Sequence, residues 1–132
     1  MRLVIAYVGG LLAMGVLDAV WLSTMVPVLY RPRLGDLLLP RPVWWAAILF
    51  YLLYGAGVVF FAVQPALKAE SLSRAALMGA ALGLMAYATY DLTNQATLRD
   101  WPVLITALDL VWGMVITSAA ASAGYLAATR LG

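Results

Sequence analysis

The 132-residue chain is 65% hydrophobic, only 11% of it is Asp, Glu, Lys or Arg, and its formal net charge is +2. Soluble domains carry roughly a quarter charged residues, so this composition cannot cover a globule with polar surface and points to lipid as the solvent of a single domain. Cysteine and histidine are both absent, which excludes disulfides, thiolate chemistry, the usual zinc and haem sites and the commonest neutral-pH general base, and leaves no cofactor to expect.

Four segments are long and apolar enough to cross a bilayer core of about 30 Å, which takes about 20 residues. They run about 3–24, 43–63, 72–93 and 102–128. A lone span must satisfy its backbone hydrogen bonds internally, so each is expected to be a helix, and the fold class is an all-α four-helix transmembrane bundle. The first span follows Arg2 as in a signal peptide, but it holds Asp18 and Trp21 and is too long for a signal h-region, so it reads as a retained span. The connector from Met25 to Pro42 carries Pro27, Pro32, Pro40 and Pro42, and proline is expected to break the helix there. Gln64 to Ser71 forms a second, short connector, and Asn94 to Trp101 a third. Trp44, Trp45 and Trp101 stand at span ends, where aromatic belts form. Arg2, Lys68, Arg74 and Arg130 on the terminal side balance Arg31, Arg33, Arg41 and Arg99 on the other, so the positive-inside rule sets no orientation.

Three carboxylates lie inside the spans: Asp18 late in the first, Asp91 late in the third and Asp109 early in the fourth. Antiparallel threading puts all three in the half of the bilayer opposite the termini. A carboxylate in hydrocarbon costs at least about 2.5 kcal/mol, so such residues face the bundle interior or a wet cavity. Three at one depth should therefore converge. No span supplies a lysine, arginine or histidine to balance them; a proton, a cation, a cationic ligand or a connector arginine must do so.

Other polar and aromatic groups surround these positions. Tyr87, Asp91 and Asn94 share one face of the third helix, with Tyr90 beside it. Ala75, Gly79 and Gly83 extend that ridge and allow another helix to approach closely. Asp18 and Asp109 each precede a tryptophan by three residues, Trp21 and Trp112, within a repeated Leu-Asp-x-Val-Trp. An inverted repeat would place the two copies in opposite leaflets; these share one, so they read as two helices giving like groups to one site. Tyr51 and Tyr54 can add hydroxyls from the second span. Against this stand plainer roles: polar residues also act as interhelical glue, Trp21 suits an aromatic belt, and the tyrosines suit packing.

The run Tyr87-Ala-Thr-Tyr-Asp-Leu-Thr-Asn-Gln-Ala-Thr-Leu-Arg-Asp-Trp-Pro102, followed by Asp109-Leu-Val-Trp-Gly113, resembles a family of small bacterial membrane proteins catalogued as a domain of unknown function. Ile48 to Tyr54 and Asp18-Ala-Val-Trp21 add to the likeness, which covers nearly the whole chain. The resemblance implies a four-span protein of the bacterial inner (cytoplasmic) membrane and carries no catalytic residues with it.

The expected function is a polytopic membrane protein that binds a small ligand or cation in a chamber built from Asp18, Asp91 and Asp109, with Asn94, Tyr87, Tyr90 and Trp112 around them. Proton-coupled transport is one form of this, and four spans are few for a transporter, so that form calls for a homodimer. Two alternatives remain open: a lipid- or isoprenoid-modifying membrane enzyme, and an accessory subunit of a larger membrane complex. The balance favours binding over catalysis, because no substrate-specific motif surrounds the carboxylates. No metal signature appears, and the low charge without a basic patch leaves no nucleic-acid partner to expect.

Overall fold

Helices account for nearly all of the computed structural model, which describes residues 1–132. Four of them are long and apolar enough to cross a membrane: α1 (Arg2–Leu37), α2 (Trp44–Ala69), α3 (Leu72–Thr97) and α4 (Val103–Leu131). The fold is the expected all-α bundle. α4 is its axis, packed along α3 on one flank and α1 on the other. α2 leans on α1 with its first half and reaches α3 only with its second half, so the two helices part towards the non-terminal side.

The distribution of side chains is that of a protein in lipid. Small residues fill the interior, including Ala6, Ala62, Ala66, Ala75, Ala120, Ala121 and Ala128. Large apolar side chains face outward, among them Val8, Leu12, Val16, Leu53, Phe60, Leu77, Met85 and Val111. Burying these large groups against one another would gain little where the surroundings are equally apolar; close backbone approach through small residues gains dispersion contacts instead. Trp44 and Trp45 are exposed at the start of α2, as an aromatic belt requires.

Two connectors differ from expectation, for one shared reason. α1 does not stop at Met25 but continues to Leu37 through a π turn at Val26–Tyr30. α2 likewise runs past Val63 to Ala69 through a π turn at Val59–Val63. Pro32 and Pro65 follow these turns, and the carbonyl that a helical proline ring strikes is four residues back, at Val28 and Phe61. Both carbonyls lie inside the π turns. The wider turn, closed by the Arg31 N–H on Val26 O and the Gln64 N–H on Val59 O, takes up the clash and lets the helix go on. At 1.5 Å per residue, the 36 residues of α1 are about 54 Å long and outrun the hydrocarbon core.

The remaining links are short. Glu70 adopts the left-handed conformation (φ 51°) that ends α2, and Ser71 caps α3 by accepting the Arg74 N–H at 3.1 Å. Between α3 and α4, Trp101 is 7% exposed rather than lying in a belt. Its indole N–H donates to Thr106 Oγ1 (3.1 Å), the Thr106 hydroxyl donates to Gln95 Oε1 (2.8 Å), and the Gln95 amide donates to the Trp101 carbonyl (2.7 Å). This closed ring satisfies every polar group it buries, and Leu29 and Ile105 pack around it as a second small core.

Candidate functional site

Glycine brings α3 and α4 together. A Cβ on Gly83 would stand 2.0 Å from the Gly113 carbonyl oxygen, and one on Gly79 would stand 2.7 Å from that of Thr117. Gly113 in turn leaves room for the Tyr87 ring, which a Cβ there would strike at 2.4 Å. The small-residue ridge read from the sequence is therefore a backbone-to-backbone crossing. Continuing along the same face of α3 past Tyr87 places Asp91 against Asp109 of α4.

Asp109 stands between the other two carboxylates, facing Asp91 and within charge range of Asp18. Asp109 accepts a hydrogen bond from the Tyr30 hydroxyl, and that hydroxyl accepts the Trp21 indole N–H at 3.1 Å. Asp18 accepts the Trp112 indole N–H at 3.2 Å and a hydrogen bond from the Tyr51 hydroxyl. Trp21 and Trp112 stack face to face, centroids 4.4 Å apart and 7° from parallel, which joins the two halves of the network. Asp18 and Asp109 lie close enough to feel one another's charge. All the hydrogen-bond donors to Asp18 and Asp109 are neutral.

Asp91 differs from the other two. It is 0% exposed, and neither carboxyl oxygen has a hydrogen-bond partner. No other residue donates to it; its neighbour is the Asp109 carboxyl, close enough for the two to share a proton. The connector arginines do not neutralise it: Arg31 and Arg33 turn to the carbonyls of Leu39 and Leu29, each at 3.5 Å. Nor do the three aspartates form a ligand set for one metal ion.

The other expected residues divide. Trp112 is part of the network, and Tyr87 lies near both Asp18 and Asp109. Tyr90 faces outward, edge-on to Trp101 with centroids 5.9 Å apart. Asn94 is half-buried beside Tyr90 and makes none of the bonds that hold Asp18 or Asp109. Tyr54 bonds Thr117 at 2.8 Å, bracing α2 on α4. Tyr30 was not anticipated, because it falls in a stretch expected to be a broken connector. One signal could have found it. A π turn inserts one residue and rotates the following helix by about 100°, which carries Tyr30 onto the face of Asp18 and Trp21.

Where α2 and α3 part, a cavity of about 370 Å³ opens, lined by Phe50, Ala86, Tyr87 and Tyr90. Phe50 stacks on Tyr54 (5.2 Å) and meets Tyr51 edge-on (5.7 Å), so this wall is continuous with the donor to Asp18.

No curated protein and no solved structure matches the chain. The family described as "predicted membrane protein (DUF2177)" matches residues 3–126. Four membrane-length helices, a core of small residues and a match over nearly the full length agree: the chain belongs to this family of membrane proteins.

Proposed function

We propose that the protein binds a small organic cation between Asp18, Asp91 and Asp109. The observation that carries this is Asp91: two fully buried carboxyl oxygens with no donor, facing a second carboxyl. A buried acid without a partner is tolerated only where something else supplies the balancing charge or proton. Asp18 and Asp109 accept hydrogen bonds from tyrosine or tryptophan of neighbouring helices, as interhelical glue would, whereas Asp91 has only the Asp109 carboxyl, with one proton to share between the two. The aromatic surroundings favour an organic cation, since tryptophan and tyrosine faces attract ammonium groups, and the carboxylates are not grouped as metal ligands.

The test is thermal unfolding of the purified protein with ethylamine, tetramethylammonium, guanidinium, sodium or potassium. At least one organic cation should raise the melting temperature of the wild type and leave that of Asp91→Asn unmoved. Asp91→Asn itself should unfold no earlier than the wild type, because the new amide N–H can donate to the Asp109 carboxyl in place of a proton shared by the two acids. A cation response equal in both proteins rules the reading out. Transport of the bound cation would appear as uptake into proteoliposomes that Asp91→Asn abolishes. Use of the Asp91–Asp109 pair as acid and base on a lipid would appear as a changed lipid profile on deletion, not restored by Asp109→Asn.

A further inference from the structure

We infer that the cleft between the first half of α2 and the second half of α3 is a lateral doorway from the bilayer, admitting a single-chain amphiphile whose polar end is an ammonium group. This rests on the cation-binding reading above and names the class of ligand and its route.

Three observations lead to it. First, the opening faces sideways, because α2 separates from α3 over the half of each helix nearest the non-terminal side. That is also the side where the carboxylates gather. Second, the cavity lining is apolar and aromatic throughout. At about 370 Å³ it lies at the small end of ligand sites, which run about 300–1,000 Å³; this suits one slender chain. Third, two of the cavity's lining residues lie near charge. Tyr87 forms part of its lining and lies near Asp18 and Asp109, while Tyr90 lies near Asp91 and Asp109. A tail between Phe50 and Tyr90 therefore has its head beside the Tyr87 and Tyr90 rings, on the side of the bundle where the three carboxyls lie.

The chemistry of the head follows from the charges. Carboxyls repel a phosphate or a carboxylate, and the nearby arginines that could offset this are turned to the Leu29 and Leu39 carbonyls. An ammonium is attracted by the acids and by the aromatic faces alike. The tail gains no hydrophobic energy by leaving lipid for the cleft; its contribution is to deliver the head at membrane depth without crossing water.

The experiment uses the full chain in nanodiscs and a diazirine-bearing dodecylamine. Label is expected on the segments holding Phe50 and Ala86 to Tyr90. Unlabelled dodecylamine should compete at least about tenfold better than ethylamine, as the burial of even two methylenes by a membrane-partitioning chain is worth that much. Dodecanol and dodecanoate should not compete. Ala86→Trp, which fills the cleft, should cut labelling about tenfold, while Leu77→Trp on the lipid-facing side of α3 should not. Phe50→Ala removes the opposite wall and repeats the test from α2 if Ala86→Trp does not fold. Competition by dodecanoate or dodecanol equal to that of dodecylamine overturns the headgroup assignment and with it the proposal. Equal competition by ethylamine, with labelling unchanged in both cleft variants, overturns the doorway while the cation site stands. If no amine of either length labels or stabilises the protein, the cation site and the doorway fall together.

Discussion

α3 and α4 meet backbone to backbone along Gly79, Gly83 and Gly113, whereas the first half of α2 stands away from α3 and leaves a cleft. Both regions are strongly apolar, and hydropathy does not separate them. Residue size at helical spacing does. A run of glycine and alanine four residues apart lets two helices close completely, while the large rings of Phe50, Tyr87 and Tyr90 line the gap between α2 and α3. In a membrane, where lipid competes on equal terms with any apolar side chain, steric fit decides which surfaces join. The closed pair positions Asp91 against Asp109, and the open pair gives access to them.

The contrast can be broken most severely at its tightest point. Gly83→Leu should destabilise the protein by about 3 kcal/mol or more, because even the first added carbon meets the Gly113 carbonyl; denaturant or thermal unfolding in detergent measures this. Thr106→Val attacks the same pair at its link. It strands the buried Trp101 N–H and the Gln95 carbonyl oxygen, for a loss of about 2 kcal/mol. On the open side, Tyr51→Phe removes one hydrogen bond to Asp18 and should cost about 1 kcal/mol. A double-mutant cycle with Asp18→Asn separates that bond from packing. Gly57→Leu is the matched control for Gly83. Its Cβ would meet only Phe61, at 4.0 Å, so stability should stay within about 0.5 kcal/mol. A Gly57 effect as large as that at Gly83 would erase the distinction between the two regions.

Much of this arrangement was legible in the sequence. Hydropathy gives four helices, antiparallel threading puts Asp18, Asp91 and Asp109 at one depth, and the spacing of Gly79, Gly83, Tyr87 and Asp91 marks the face they share. Other parts were hidden for identifiable reasons. Pro32 reads as part of a helix break, because a proline rule based on the regular helix does not foresee a π turn that absorbs the clash. Tyr30 is hidden by the same rule, and Trp21, for which position allows a belt role as well as a site role, gives its indole N–H to Tyr30. Trp101 suited a belt by position; only the pairing of Gln95 and Thr106, eleven residues apart, draws it inside. The cleft could not be foreseen at all, since it depends on how two helices diverge and not on any one residue.

The Gln95–Trp101–Thr106 ring has a consequence for how the chain enters the membrane. It fastens the end of α3 to the start of α4 through contacts local in sequence, and such contacts form early. The last two helices can therefore leave the insertion machinery as a ready-made hairpin, with Asp91 and Asp109 already turned towards each other. Neither acid then has to face acyl chains alone on its way to the finished bundle.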